Sequence, residues 1–357
     1  MNFKDIFDLA IEKDASDMII RVNSSLRGKV HSRLEVMQKD EFREKDVEKI
    51  IADMTSESER KELKANRSYE FTYWYKELWR FRISIFYQRN TPALVIRKIN
   101  LSIPSFADLD LPENLLKKFC TERRGLILLT GITGSGKSTT IASIIEHINK
   151  NYGRHVLTVE EPIEFTFKDN KSIINQREIG KDVRSYKDAL RQFALHSPDV
   201  IYIGNIRDNE TCHAALAAAE TGVLVFSTIH TVNAASTIER IVNFFPPHQH
   251  DFILNQLSFL LKGVLTQRLI PRADESGLIP AYEAMTLSPS ISRLMRENKV
   301  WEIPKYIASG DVYGMKTFHQ CLLALAVSGK ISPQIALEYC DKKEELEMEL
   351  RTKGLLK

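Results

Sequence analysis

Residues 125–146 read Gly125-Leu-Ile-Leu-Leu-Thr130, Gly131-Ile-Thr-Gly-Ser-Gly-Lys-Ser138 and Thr139-Thr-Ile-Ala-Ser-Ile-Ile-Glu146. The middle eight residues fit G-x-x-x-x-G-K-[ST] in full. The apolar stretch before them has the composition of a buried strand, and the stretch after them has helical spacing. A strand, a glycine-rich loop and a helix in that order make a phosphate-binding turn. The glycines let backbone N–H groups approach phosphate oxygens, and the new helix points its positive end at them. Lys137 is the cation for the β- and γ-phosphates, and the Ser138 hydroxyl is a ligand for Mg²⁺. Gly131, Thr133, Gly134, Ser135, Gly136 and Thr139 complete the candidate nucleotide contacts. ATP and Mg²⁺ are the implied cofactors.

Downstream of this stretch the chain alternates apolar strands with helices. The strands are 154–159, 200–203 and 223–228, as in a mostly parallel sheet. Two strand ends carry candidate chemistry. Thr158-Val-Glu-Glu-Pro-Ile-Glu164 places Glu160, Glu161 and Glu164 just past a buried strand, where open α/β sheets bind ligands. A solvated acidic turn is the competing reading. Pro198-Asp-Val-Ile-Tyr-Ile-Gly-Asn205-Ile-Arg-Asp208 ends on Asn205, an amide with neither negative charge nor basicity. Asp208 reaches a ligand there only if the loop folds back. A third strand end, Phe226-Ser-Thr228-Ile-His230, sets Thr228 and His230 where a γ-phosphate sensor would stand. After about Thr286 the pattern is helical, over 289–298, 317–327 and 333–352.

Upstream, residues 1–100 read as a small α+β unit. Helices are predicted over Phe3–Glu12, Glu44–Met54 and Ser56–Ala65, with strands over 17–22, 69–74, 79–87 and 93–97. In the second-last strand, apolar residues alternate with Arg80, Arg82 and Ser84, the period of a half-buried strand. Pro104 and Pro112 punctuate 101–112, which reads as a linker. The expected division is therefore 1–100, linker 101–112, an α/β domain over 113–286, and a helical region over 287–357.

Composition excludes several classes. The 357 residues suggest about two domains at roughly 150 each. Lys plus Arg is 50 and Asp plus Glu 47, a net charge of +3, which gives no footprint for a dedicated nucleic-acid binder. No apolar run approaches the roughly 18 residues of a membrane span. Cys120, Cys212, Cys321 and Cys340 form no CxxC pair, so neither a zinc module nor a redox motif is expected. Isolated thiols without a signal peptide fit a reducing cytoplasm.

The four motif stretches occur in the order of a known set. Gly134-Ser-Gly-Lys-Ser-Thr-Thr140, Thr158-Val-Glu-Glu-Pro-Ile-Glu-Phe165, Pro198–Asp208 and Ser227-Thr-Ile-His-Thr231 resemble the Walker A, Asp-box, Walker B and His-box of the secretion ATPase superfamily. Leu261-Lys-Gly-Val-Leu-Thr-Gln-Arg-Leu-Ile-Pro271, Ile291-Ser-Arg-Leu-Met-Arg-Glu297 and Gly314-Met-Lys-Thr-Phe318 are similar to its PilT/PilU-type retraction branch. Phe81–Asn90 and Val242-Asn-Phe-Phe-Pro246 lean to the PilU-like side. The resemblance implies a PAS-like N-terminal domain, a RecA-like P-loop ATPase domain and a homo-hexameric ring. It implies ATP hydrolysis driving type IV pilus retraction and twitching motility. The ring would be cytoplasmic and peripheral at the inner membrane, beside a platform protein and a paralogous PilT-type motor.

Carried over by position, the resemblance makes Glu160 the residue that positions or activates water and His230 the His-box residue. Glu161 joins Ser138 as a candidate metal ligand. Arg82 and Arg97 are the candidates for arginines supplied to a neighbouring subunit's nucleotide. The sequence departs from the family pattern at Asn205, where the family has Glu. The alternative reading is therefore an ATP-binding accessory subunit that hydrolyses weakly or not at all. A RecA-type nucleic-acid translocase is a third reading, against which the charge balance and the Asp-box and His-box argue.

Overall fold

In the computed structural model, residues 2–30, 33–76, 79–99, 103–193 and 195–356 are described. The chain forms two compact units, residues 1–102 and 103–357. Among the described residues no helix is long and apolar enough to cross a membrane.

The first unit runs α1 (Phe3–Glu12), β1 (Asp17–Arg21), β2 (Ser25–Val30), β3 (Arg33–Glu41), α2 (Glu44–Met54), α3 (Glu57–Asn66), β4 (Ser68–Tyr75), β5 (Trp79–Gln88) and β6 (Thr91–Ile99). Its strands form one antiparallel sheet in the order β3-β2-β1-β6-β5-β4. Asn2 caps α1, accepting from the N–H groups of Lys4 and Asp5, while Asp5 accepts from the N–H of Asn2. The helix buries Phe3, Ile6, Phe7 and Ala10 on one face, and Phe7 stacks on Phe81 of β5 at 4.2 Å between ring centroids. β2 and β3 were not expected from the sequence. β3 is an edge strand of mostly exposed residues. Leu34 and Val36 alternate with Arg33 and Glu35, but residues 38–41 are all polar, so the period is too short to mark a strand.

The second unit opens with residues 103–112. The sequence reads this segment as linker, with residues 101 and 102 outside the described residues. From Ile103 on it packs into the unit, because Phe106 and Leu111 are buried in the core beneath it. There follow α4 (Glu113–Thr121), β7 (Gly125–Thr130), α5 (Lys137–Asn151), β8 (His155–Glu160), β9 (Ile173–Glu178), α6 (Tyr186–Phe193) and β10 (Val200–Ile203). Next come α7 (Asn209–Glu220), β11 (Leu224–Ile229), α8 (Ala234–Val242), α9 (His250–Leu260), β12 (Leu261–Pro271), β13 (Leu278–Thr286), α10 (Pro289–Arg296), α11 (Ile303–Ala308), α12 (Phe318–Val327), α13 (Pro333–Tyr339) and α14 (Lys343–Thr352).

Seven strands make one sheet in the order β13-β12-β7-β11-β10-β8-β9. All pairs are parallel except β12 with β13. Alternate residues of β7 serve opposite faces. Leu126 and Leu128 join the core under α6 to α11, while Ile127 and Leu129 join the core with α4 and α5. Both faces are covered, as a parallel sheet requires. The hairpin of β12 and β13 was not read as strands from the sequence. It lays Ile270, Ile279 and Ala281 under the C-terminal helices, so these helices belong to the same unit. The predicted helix 333–352 is broken at 340–342. There Arg268 of β12 pairs with Asp341 at 2.9 Å and donates to the Tyr339 carbonyl, and the Cys340 sulfur accepts from the Lys342 N–H. The long-range Arg268 bonds and this local one together outweigh continuation of the helix.

Candidate nucleotide site

The phosphate loop leaves β7 at the middle of the sheet and enters α5. Gly131, Gly134 and Gly136 have positive φ values of 144°, 80° and 89°. At Gly131 a Cβ would meet Ser135 Oγ at 2.4 Å and the Gln267 carbonyl at 2.5 Å. That position therefore excludes side chains by space as well as by backbone angle. Lys137 is buried, and its Nζ donates to the carbonyls of Gly131 and Ile132, each at 2.9 Å. Burial lowers its pKa, and Glu164 opposes that shift. The buried hydroxyl of Ser135 has no partner among the described residues. The loop thus has the open cradle, the cation and a spare hydroxyl that a polyphosphate uses. Thr133 stands on its exposed side.

The ends of β8, β10 and β11 lie beside this loop because the sheet is parallel and in register. Val159 pairs with Ile203, Ile203 with Ser227, and Ile229 with Thr130. A cleft of about 480 Å³ opens between α5 and these ends, lined by Ser138, Glu160, Glu161, Glu164, Tyr186 and Asn205 among others. Glu160 is only 7% exposed. Burial pushes its pKa up to about 7, against hydrogen bonds from Thr158, Gln176 and the Glu164 backbone. A buried carboxyl that titrates near neutrality is a candidate for proton chemistry.

Asn205 turns its Oδ1 into a buried position with no partner among the described residues. Its backbone neighbour Gly204 is held firmly. The Gly204 N–H donates to Val159 O at 2.8 Å, and Thr228 Oγ1 donates to Gly204 O at 2.6 Å. Thr228 is therefore engaged with the β10 end. His230 lies by the loop. Burial, followed by the nearby Lys137 charge, lowers its pKa, while the Gly131 backbone raises it.

Glu161 is half of an ion pair with Arg207, at 3.2 Å. Asp208 does not fold back to the cleft. It caps α7, accepting from the Thr211 N–H at 2.8 Å. Arg82 and Arg97 lie in the other unit, directly opposite each other on β5 and β6. Arg97 donates to Asp17 at 2.7 Å, and Arg82 pairs with Glu70. Each like-charged neighbour therefore has its own carboxylate.

Sequence reading missed the partners of Glu160. Thr158 was legible in principle, since residues two apart on a strand share a face. Gln176 sits in the polar strand Asn175-Gln-Arg-Glu178, which carries no apolar alternation. A second cleft of about 550 Å³ was also missed. It flanks the loop at Gly136 and Thr139 and is walled by Leu109, Leu111, Leu269 and Arg272. Its walls come from segments more than 150 residues apart, so no local motif marks it.

A glycine-rich loop with its lysine, beside a buried carboxylate at the ends of a parallel sheet, defines a P-loop nucleotide site. A family model described as "Type II/IV secretion system protein" matches residues 4–291. The chain belongs to this family of ATPases, in its PilT/PilU-type retraction branch. It is 34% identical over 351 residues to the type IV pilus ATPase PilU of Pseudomonas aeruginosa, covering 98% of this chain and 92% of that one. It is 34% identical over 338 residues to the type IV pilus retraction ATPase PilT of the same organism, covering 95% and 98%. These equal identities do not separate the two. A crystal structure of the pilus retraction motor PilT with bound ADP superposes with a TM-score of 0.90 at 39% identity, covering 98% of this chain and 99% of that one.

Proposed function

We propose that this chain is a motor that hydrolyses ATP to drive type IV pilus retraction, and hence twitching motility. The observation that carries the reading is an intact phosphate loop, with Lys137 buried in it, beside the buried carboxylate of Glu160. Lys137, Ser138, Thr139 and the loop amides hold the phosphates. The second cleft, adjacent to Thr139 and walled by leucines with Arg272, takes the base and ribose. Mg²⁺ entering with ATP would be held by Ser138, with Glu161 as further ligand once released from Arg207. It supplies neutralisation of charge on the β- and γ-phosphate oxygens. Glu160 orients the attacking water, and the neutral His230 imidazole reports on the γ-phosphate.

The working form is a homo-hexamer, cytoplasmic and peripheral at the inner membrane against a platform protein. Its functional divisions are 1–100, 101–112, 113–286 and 287–357. The first unit serves as a PAS-like domain whose Arg82 and Arg97 reach a neighbour's nucleotide. No nucleic acid takes part. A second reading is supported by the amide at position 205: an accessory ATP-binding subunit, working with a paralogous PilT-type motor and turning over slowly.

Lys137→Ala tests the site. It removes the cation aimed at the β- and γ-phosphates, so direct titration should show productive ATP binding lost. Unchanged affinity would move the site elsewhere. Turnover of the unaltered chain with Mg-ATP, with and without single-stranded DNA, separates the readings. Tight binding without turnover favours the accessory subunit, and stimulation by DNA counts against both.

A further inference from the structure

A carboxylate that orients water must itself be held still, and the cleft contains the parts that do so. Thr158 and Glu160 lie two residues apart on β8 and share a face, and Gln176 stands directly opposite Thr158 on β9. Thr158 Oγ1 donates to Glu160 Oε1 at 2.6 Å, and Gln176 Nε2 donates to the same oxygen at 3.3 Å. The Gln176 amide is oriented by backbone on both sides. Its Oε1 accepts from the Phe167 N–H at 3.0 Å, and its Nε2 donates to the Phe165 carbonyl at 2.8 Å. A reversed amide would set acceptor against acceptor, so this orientation follows from the network.

We propose that Thr158 and Gln176 are positioning residues for Glu160, fixing its carboxylate plane by committing Oε1 to two donors. The backbone N–H of Glu164 is a further donor to the carboxylate, and the lone pairs left over are those available to a water in the cleft. Gln176 also ties the turn carrying Glu161 and Glu164 to the same carboxylate. The carboxylate and the acidic turn are thereby held as one rigid piece at the edge of the sheet. The inference rests on the reading of Glu160 given above. Orientation of a reacting group governs rate far more than binding: misplacement by about 1 Å costs on the order of 10²-fold. Both donors act through Glu160 and touch neither loop nor base cleft, so nucleotide affinity is independent of them.

The experiment is steady-state ATP turnover and ADP titration of Thr158→Val, Thr158→Ser and Glu160→Gln in the full chain. Valine keeps the shape of threonine and removes the donor. The expected result is a kcat lowered roughly 10- to 100-fold with KM and ADP affinity unchanged. Serine, which keeps the hydroxyl, should restore kcat. An unchanged kcat in Thr158→Val, or a serine variant as slow as the valine one, overturns the positioning role. Glu160→Gln at full turnover overturns the reading of Glu160 itself, a separate result. If Thr158→Val loses ADP binding through misfolding, Gln176→Met is measured instead. It should show the same fall in kcat at constant KM, and wild-type kcat there also overturns the inference.

Discussion

Glu160 and Asn205 stand at the tips of neighbouring strands and line one cleft, yet their chemistry there differs. Glu160 is a buried carboxyl whose pKa is raised to about 7 by that burial. It is therefore able to exchange a proton near neutral pH. Asn205 brings an acceptor oxygen into the same cleft without charge, and that oxygen has no partner among the described residues. Asn205→Glu places a negative charge and a basic oxygen at this point. Turnover should rise, by a modest factor if Glu160 already meets the need for a base. If the amide is what limits the site, the rise should approach the order of 10²–10⁴ typical of general-base catalysis. Nucleotide affinity should change little, because Lys137 and the loop amides carry it. Equal steady-state turnover in the two proteins at saturating Mg-ATP would remove position 205 from the chemistry. The accessory-subunit reading would then lose its support.

At the level of elements, the motif that resembles a Walker B segment ends in a helix start. Asp208 has extended backbone as the N-cap of α7, and its carboxylate accepts from the N–H and hydroxyl of Thr211. Burial raises its pKa, but the Thr211 bonds and the Arg207 charge overcome this and leave it below the ordinary value. A depressed carboxyl pKa stabilises the fold above the unfolded pKa, and this contribution fades as pH falls through the folded one. Asp208→Ala should therefore lower stability by about 1 kcal/mol at neutral pH. Asp208→Asn should recover most of it, and the difference between Asp and Ala should shrink in acid. Urea unfolding followed by circular dichroism at two pH values reads all three. A loss from Asp208→Ala that did not diminish in acid would assign the effect to packing instead of the cap.

On the scale of the whole molecule, the two units carry different candidate residues. The second holds the loop, the acids and both clefts. The first holds Arg82 and Arg97 on adjacent strands, with Asp17 beside Arg97 in register. An arginine supplied to another subunit's phosphates stabilises charge that develops during transfer. Arg82→Ala should lower turnover without unfolding the subunit. If the proposed ring forms, assemblies mixed from Arg82→Ala and Lys137→Ala subunits should show activity that depends on the mixing ratio. Activity that is simply the weighted sum of the two parents would end the assignment in trans.

Much of this was readable in the chain, for a physical reason. The phosphate loop is contiguous, so Gly131 to Ser138 carry their own geometry, and the strands buried on both faces appear as unbroken apolar runs. Glu160 was legible because it follows such a run directly. What depends on distant segments was not legible. β2 and β3 alternate over only a few residues and β9 ends in four polar ones, so they are strands by pairing with neighbours. The helix expected over 333–352 breaks because Arg268, some 70 residues earlier, claims Tyr339 and Asp341. The two donors on Glu160 Oε1 meet across a parallel pair whose register local patterning does not set. The second cleft exists only where 108–111, the start of α5 and the β12–β13 hairpin converge. Local sequence thus specified where the loop and the carboxylate stand along the chain. Long-range packing settled their partners, because hydrogen bonds and cleft walls between distant segments form only when the chain has folded.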